Sequence, residues 1–202
     1  MSEPNWLELA RATIRRESVA VGAIAEQLDE TFLAVAGVML NCRGHVLVAG
    51  SGNSHATALR FAHMLSCVGT PALFIHPGDA QHGTSGAVTA NDVVVLISRG
   101  GETDEVNRLG HISKQRGATV IALTEVPAST VGRLSDHVLK VVSDPAADLA
   151  GTMSTAGSLC MSVMGDALCQ VLFEMRGYTV QQFGQTHPGG AVGKSFAGAD
   201  SN

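Results

Sequence analysis

Apolar positions in the first part of the chain recur at helical spacing. Between residues 5 and 40 they follow steps of three, four and seven residues, as on one face of a helix. We therefore expect one long helix or two consecutive helices there. After Arg43 and Gly44 the pattern changes to a short β-branched apolar run at residues 45–50, which predicts a buried strand. A loop of small residues at 51–54 follows it.

The same alternation of strand and helix continues along the chain. Short apolar runs predict four further strands, and the segments between them have helical spacing or turn composition. Apolar strands separated by helices predict an α/β fold, a doubly wound five-stranded parallel sheet covered on both faces. The further strands are expected at 72–75, 93–98, 119–123 and 138–142, and the intervening helices at 54–68, 78–86, 103–116 and 129–134.

The segment 154–177 predicts the most apolar helix of the chain. Its small and apolar positions cover more than one face, so we expect both the sheet and the N-terminal helices, at a subunit interface, to bury it. No linker or repeat interrupts the sequence, and we interpret residues 1–202 as one domain. Its parts are N-terminal helices at 5–40, an α/β core at 45–150 and a C-terminal helix and tail at 154–202.

The amino-acid composition indicates which partners the protein is expected to have. Charged residues make up 15% of the 202 residues, against about 25% in average proteins, which suggests that other subunits cover part of the surface. The net charge is -5 and no basic run stands out, so we expect no nucleic acid partner.

Cysteine usage and apolar run length bear on location. The four cysteines have no Cys-x-x-Cys spacing, and we interpret them as buried free thiols in a reducing compartment. The N-terminus lacks the apolar segment of a signal peptide, and no run reaches the ~18 apolar residues of a membrane span. We therefore predict a cytoplasmic protein with no membrane partner.

Two glycine-rich loops follow predicted strands, at residues 50–54 and 98–103. In an open parallel sheet the ligand crevice lies beyond the carboxyl ends of the strands, where loop amides and hydroxyls hold anions. The first loop lacks the third glycine of a dinucleotide site, and neither ends in the Gly-Lys-Ser/Thr of a P-loop. These features favour a phosphorylated small molecule over a nucleotide.

Histidines and a glutamate near these loops are candidates for proton transfer. His76 and His82 flank a Pro-Gly turn, and His187 precedes Pro-Gly-Gly near the C-terminus. Imidazole exchanges protons near neutral pH. Glu102 lies inside the second glycine turn and is expected to face the crevice, whereas Asp104 and Glu105 fit capping of the following helix. No histidine and cysteine cluster has metal-ligand spacing, and we assign no metal.

Taken together, four segments resemble the sugar isomerase (SIS) domain family, and within it the arabinose 5-phosphate isomerases. They are Ala49-Gly-Ser-Gly-Asn-Ser54, His76-Pro-Gly-Asp-Ala-Gln-His-Gly83, Ile97-Ser-Arg-Gly-Gly-Glu-Thr103 and His187-Pro-Gly-Gly-Ala-Val-Gly-Lys194. The resemblance implies reversible aldose to ketose isomerisation of a small phosphorylated or otherwise anionic sugar, without cofactor or metal. It also implies a homotetramer with composite active sites. Longer relatives carry cystathionine β-synthase type modules, which we do not expect within these 202 residues.

The resemblance implies roles residue by residue. Glu102 matches the family's loop glutamate and His187 its C-terminal histidine, which makes these two the first candidates for proton transfer, and His82 is a third. The positions expected to bind the sugar or its phosphate are Ser51, Gly52, Asn53, Ser54, His76, Ser98, Arg99, Thr103, Ser154 and Thr155.

Three departures from the family pattern concern the choice of sugar. Asn53 stands where the arabinose 5-phosphate isomerases carry a lysine, and Gly100 replaces a hydroxyl while Arg99 adds a guanidinium. The acidic position after the last strand falls near Ser143 or Asp144, with Asp148 nearby. We expect Arg99 to replace the missing lysine as the partner of the anion, because a guanidinium binds phosphate in a fork.

Two alternatives to an isomerase stay open at this point. SIS domains also serve as noncatalytic sugar phosphate sensors in regulators, although no helix-turn-helix segment is apparent here. Related etherases use a glutamate to remove a proton beside a carbonyl, so a lyase is the third hypothesis.

Overall fold

The strands form one parallel five-stranded sheet in the computed structural model, which describes residues 5–189 and Gly193. Their spatial order is β2-β1-β3-β4-β5, which confirms the predicted fold class. In the register of β1 and β3, Gly50 lies beside Ile97, so the loops that follow these two strands start side by side. The strands are β1 Val46–Gly50, β2 Ala72–Phe74, β3 Val93–Ile97, β4 Thr119–Thr124 and β5 His137–Lys140.

Helices cover both faces of the sheet. On one side lie α1 Trp6–Gly22, α2 Glu30–Leu40, α3 Asn53–Cys67 and α7 Thr155–Arg176; on the other lie α4 Pro77–Ala80, α5 Asp104–Gln115 and α6 Thr130–Leu134. The N-terminal segment is thus two consecutive helices. A last helix, α8 Val180–Thr186, follows α7.

Burial on both faces explains why the strands are continuously apolar. All five residues of β1 and all five of β3 are buried. Side chains alternate along β1, so Val46 and Val48 pack with α2, α3 and α7, whereas Leu47 and Ala49 pack with α5. An alternating polar strand would place polar groups in one of the two cores.

The long helix α7 is buried against three other helices of its own chain, α1, α2 and α3. Gly165 lies so close to Phe61 of α3 that a Cβ there would be 2.9 Å from the ring. Among the described helices α7 alone has the length and apolar composition to cross a membrane, but half of that window is buried inside the fold. Core helices of soluble proteins meet the same criteria.

The first helix, by contrast, leaves an apolar face uncovered. Within α1, whose residues are all described, Ala20 alone is buried, while Trp6 is 68% and Val19 74% exposed. This surface is of the kind that subunit interfaces cover.

Helix α8 was not predicted from the sequence; it ends at Thr186, directly before His187. Its start is a capping box, in which the Thr179 hydroxyl accepts from the Gln182 N–H and the Gln182 side chain accepts from the Thr179 N–H. The prediction that all four cysteines are buried is also wrong in part, because Cys42 and Cys67 are half-buried; all four are free thiols.

Candidate functional site

The loop after β1 is shaped by two glycines. A Cβ on Gly50 would lie 2.4 Å from the Ser54 carbonyl oxygen, so α3 begins too close to the strand for a side chain. Gly52 has a φ of 59°, a conformation that glycine adopts without strain. The Asn53 amide donates to the Ser154 carbonyl oxygen at 3.0 Å and joins this loop to the start of α7. The expected binding residues 51–54 thus lie beside Ser154.

The loop after β3 places its hydroxyls together. Ser98 is buried, and its Oγ lies 3.1 Å from Thr103 Oγ1. Gly101 has a φ of 71°, and a Cβ there would lie 1.9 Å from Ser129 Oγ. Because the backbone bends so tightly against α6, Ser98 and Thr103 are fixed at the carboxyl end of β3.

Glu102 lies at the surface on the α6 side of this loop. Its Oε1 accepts the Thr130 N–H at 2.9 Å. Hydrogen bonds from the Thr130 hydroxyl and backbone lower the pKa of Glu102, and Arg133 contributes in the same direction. The carboxylate is therefore ionised at neutral pH and caps the first turn of α6.

Arg99 points into a cluster of acidic and hydroxyl groups. Its Nε lies 3.0 Å from Glu125 Oε1 and its Nη1 2.5 Å from Asp148 Oδ2. Nη2 donates to Ser143 Oγ at 3.4 Å. Two carboxylates thus neutralise one guanidinium, which argues against the expectation that Arg99 is free to bind an anion.

Glu125 and Asp148 extend this cluster to the neighbouring elements. The Ser143 hydroxyl and N–H donate to Glu125 Oε1 at 2.7 and 3.2 Å, and Gly157 N donates to Asp148 Oδ1 at 2.9 Å. The cluster therefore links the ends of β3, β4 and β5 to the first turn of α7. Sequence reasoning placed Asp148 near the site but overlooked Glu125, which directly follows β4 and could have been identified by that position.

Three aromatic rings cluster beyond the end of β2. The ring centroids of His55 and Phe74 are 4.6 Å apart, and those of His55 and His76 are 5.5 Å apart. His76 is the N-cap of α4, where its Nδ1 accepts the Asp79 N–H at 3.3 Å and lies 3.7 Å from Asp79 Oδ2. His76, an expected binding residue, thus lies between the end of β2 and the start of α4 with its side chain 47% exposed.

Glu105 faces the same group of residues. Its own backbone N–H lowers the pKa of Glu105 most, followed by a hydrogen bond from the Ser51 hydroxyl and by the charge of His76. Ser51 belongs to the loop after β1 and Glu105 to the first turn of α5, so these two segments are neighbours. The sequence reading, in which Glu105 merely caps α5, overlooked this contact.

The other two candidate histidines lie apart from these residues. His82 is exposed on the turn after α4. His187 stacks on Phe183 with a centroid distance of 3.7 Å, and its Nε2 lies 3.8 Å from Cys67 Sγ. Cys67 ends α3, whose 15 residues span about 22 Å from the loop after β1. His187 therefore lies near the amino ends of the strands, at the opposite end of the sheet from the loops after β1 and β3 of its own chain.

The two hydroxyl residues at the start of α7 have different positions. Ser154 precedes α7, and its Oγ is near Gly157, close to the Arg99 guanidinium. Thr155 Oγ1 accepts the Leu149 N–H at 3.1 Å. Within residues 5–189 and Gly193, no group of three His, Cys, Asp or Glu side chains is placed to hold a metal ion.

Comparison with known proteins agrees with the motifs. The model of the SIS domain family matches residues 39–169. Arabinose 5-phosphate isomerase KdsD of Yersinia pestis is 37% identical over 186 residues, which cover 91% of this chain and 55% of that protein. KpsF of Escherichia coli, another arabinose 5-phosphate isomerase, is 35% identical over 196 residues, 95% of this chain and 59% of that one. The chain thus spans about half the length of these curated relatives.

Solved structures share the whole architecture. A Listeria monocytogenes protein described as a sugar-phosphate isomerase has a TM-score of 0.89 at 31% identity and covers 94% of this chain and 100% of its own. An Escherichia coli CFT073 protein in complex with arabinose 5-phosphate has a TM-score of 0.88 at 30% identity and covers 93% of this chain and 100% of its own. The motifs, the fold and these matches agree: the chain belongs to the SIS domain family.

Proposed function

We propose that the protein is a phosphosugar isomerase that interconverts an aldose phosphate and a ketose phosphate, with arabinose 5-phosphate as the first substrate to test. The observation that carries the proposal is the convergence of hydroxyl-bearing loops at the carboxyl ends of β1 and β3 and at the start of α7. Such a crevice suits an anionic sugar. The curated relatives at 35% and 37% identity are arabinose 5-phosphate isomerases, which supports the choice of reaction.

In this proposal, hydroxyls and loop amides hold the phosphate. Ser98, Thr103 and Ser154 supply hydroxyls, and the glycines of both loops let backbone amides approach the ligand. Because two carboxylates engage Arg99, the phosphate is bound by neutral donors. This arrangement differs from the guanidinium fork expected from the sequence.

Glu102 is the proposed base for the proton at C2. Its carboxylate is ionised and exposed on the loop after β3, and a base that acts at neutral pH must be ionised. Removal of the C2 proton gives an enediolate, the proton of the C2 hydroxyl passes to O1, and return of a proton to C1 completes the conversion. The chemistry needs no cofactor, and we propose none.

We further propose that a second copy of the chain supplies His187. In its own chain this histidine contacts Cys67 near the amino ends of the strands. We propose that it enters the crevice of a neighbouring subunit instead. The uncovered apolar face of α1 is a suitable subunit contact, so we propose a homo-oligomer, a homotetramer as in the family expectation. We also propose that residues 1–202 form one soluble cytoplasmic domain with no nucleic acid or membrane partner. His82 is the third candidate for proton transfer.

Proton exchange tests the function. The protein is incubated in deuterated water with aldose phosphates of four to seven carbons, arabinose 5-phosphate included, and followed by NMR. We expect deuterium at C2 and formation of the ketose phosphate. If the sugar signals broaden without deuterium exchange, the protein binds the sugar as a sensor and is not an isomerase. If the sugar loses a substituent, the protein is a lyase.

Two variants test the assigned residues. Glu102→Gln should abolish C2 exchange while it still binds the sugar phosphate; a wild-type exchange rate would refute its role as the base. His187→Ala and Glu102→Gln should each be inactive alone. Co-assembly of the two variants should restore part of the activity, because one crevice in a mixed oligomer then holds both intact groups. Inactive mixed oligomers would contradict the composite site.

A further inference from the structure

We propose that Asn107 is a positioning residue for the isomerisation: its side-chain amide holds the turn that carries Glu102. This inference rests on the proposed function, in which Glu102 removes the proton at C2, and it assigns a residue that acts through that turn. A base on a glycine-rich turn must be fixed by its surroundings, because a displacement of about 1 Å can lower the rate about 100-fold.

One side of the turn rests on the start of α6. The Val131 N–H donates to the Gly101 carbonyl oxygen at 3.0 Å, and the Thr130 N–H donates to Glu102 Oε1 at 2.9 Å. The first N–H groups of a helix have no acceptor within that helix. Both donors are therefore available to the turn, and they fix it from the side of α6.

Asn107 fixes the same turn from the side of α5. It is buried, with 8% of its surface exposed, and its Nδ2 donates to the Gly101 carbonyl oxygen at 3.3 Å. This carbonyl thus accepts one hydrogen bond from each of two helices. Because the Gly101 carbonyl and the Glu102 nitrogen belong to one planar peptide group, bonds that fix the carbonyl also fix the backbone from which the Glu102 side chain starts.

The other polar atom of the Asn107 side chain indicates that the donor serves a purpose. Asn107 Oδ1 is buried without a hydrogen-bond partner, and within the part of the chain that the structure describes no other buried side-chain nitrogen or oxygen is unpartnered. Reversal of the amide would place Oδ1 against the Gly101 carbonyl oxygen, and both atoms are acceptors. An unsatisfied buried oxygen destabilises a fold, and an apolar side chain would leave none. An asparagine here is therefore explained by the bond to the turn better than by packing.

Another buried polar residue of α5 shows the contrast. Ser113 is fully buried, but its hydroxyl donates to the Leu109 carbonyl oxygen at 2.8 Å. That bond stays within α5 and does not reach the turn. Ser113 is therefore a matched control for Asn107.

Two substitutions test the role of Asn107 in isomerisation. Asn107→Leu removes the donor together with the unpartnered oxygen, and Asn107→Asp keeps the size of the side chain but, when ionised, also has no donor. Each should lower kcat on the order of 10- to 100-fold. KM should stay near the wild-type value, because Ser98 and Thr103 hold each other's hydroxyls and a group that acts on the base changes kcat. Ser113→Ala should match wild type in both constants.

Hydrogen exchange of the Thr130 amide, measured by NMR, tests the positioning without an activity assay. Its acceptor is Glu102 Oε1, so its protection from exchange reports where that carboxylate lies. In both Asn107 variants the Thr130 amide should exchange about 10-fold faster than in wild type, approaching its rate in Glu102→Ala. In Ser113→Ala it should exchange like wild type.

The outcomes separate this inference from the isomerase proposal. An active enzyme must show both changes in an Asn107 variant measured below its melting temperature; a lower kcat without faster Thr130 exchange, or the reverse, would overturn the inference and leave isomerisation intact. A lower melting temperature with wild-type kcat would show a merely structural role and overturn it as well. If leucine is too large for the site, the aspartate variant decides. If the wild type isomerises no sugar phosphate, the isomerase proposal fails, while Thr130 exchange still decides whether Asn107 holds Glu102.

Discussion

The two sides of the crevice hold charge in opposite ways. Over β4 and β5, Arg99 is matched by Glu125 and Asp148, and the Asp148 side chain has no exposed surface. Over β2, the His76 side chain is 47% exposed, and Asp79 contacts one of its two ring nitrogens. Charges whose bonds are all made inside the protein fix the scaffold, whereas groups with bonding capacity at the surface are the ones that can act on a substrate.

The largest expected effect on stability comes from removing one carboxylate of the Arg99 cluster. Asp148→Ala removes a buried partner of Arg99 and an acceptor of the Gly157 N–H. We expect a loss of about 3 kcal/mol in the free energy of unfolding, because Arg99 Nη1 and the Gly157 N–H both lose their acceptor, and each unsatisfied buried donor costs about 1–3 kcal/mol. Urea denaturation measures it.

The matched control is Asp166→Ala, which also removes an arginine partner, but from a pair whose side chains are 48% and 41% exposed. Here the expected loss is below about 1 kcal/mol. Equal losses in the two variants would show that the Arg99 cluster is no more than a surface ion pair.

A smaller effect is expected from the backbone that separates the two sides. Gly101→Ala puts a Cβ into contact with Ser129 at a φ of 71° and should cost about 2 kcal/mol in stability through strain. Gly100→Ala has open space around it and should change stability by less than about 0.5 kcal/mol. Thermal denaturation of both variants measures the difference, and similar melting temperatures would contradict the described loop.

The smallest expected effect on stability concerns Asp92, which precedes β3 at the amino end of the sheet. Burial raises the pKa of Asp92, but hydrogen bonds from His45 N, Thr89 N and the Thr89 hydroxyl outweigh burial, so the pKa is lowered overall. A lowered pKa in the folded state stabilises the protein above the ordinary value of about 3.9. This contribution is lost as the pH falls through the lowered pKa.

Asp92→Asn should therefore destabilise the protein at pH 7, by about 1 kcal/mol, which is typical for the loss of one hydrogen bond. The difference from wild type should shrink as the pH falls below about 4. Urea denaturation at a series of pH values measures it. A difference that stays constant down to pH 3 would show that the charge of Asp92 does not stabilise the fold.

The sequence predicted the sheet well because each strand is buried on both faces and leaves an uninterrupted apolar run. It did not predict α8, because none of the residues of that helix is buried and its sequence, Val-Gln-Gln-Phe-Gly-Gln-Thr, has no apolar periodicity. Its main signal is the capping box at Thr179.

The site was harder to predict than the fold for a physical reason. The role of Arg99 depends on Glu125 and Asp148, which are 26 and 49 residues away in sequence, and local pattern cannot show such pairing. Glu105 has the sequence signature of helix capping, and only the approach of Ser51 from another strand reveals its position. The loop motifs themselves predicted correctly that the loops after β1 and β3 start side by side.

The most direct test of this account is histidine NMR during titration with arabinose 5-phosphate at constant pH. A sugar phosphate that occupies the crevice between β1 and β3 should shift the ring signals of His76 and His55 along one saturable curve. His111, on the outer face of α5, should not move, and inorganic phosphate should not reproduce the His76 shift. If His76 and His55 stay unchanged at sugar concentrations that saturate binding, the crevice described above is not where the sugar binds.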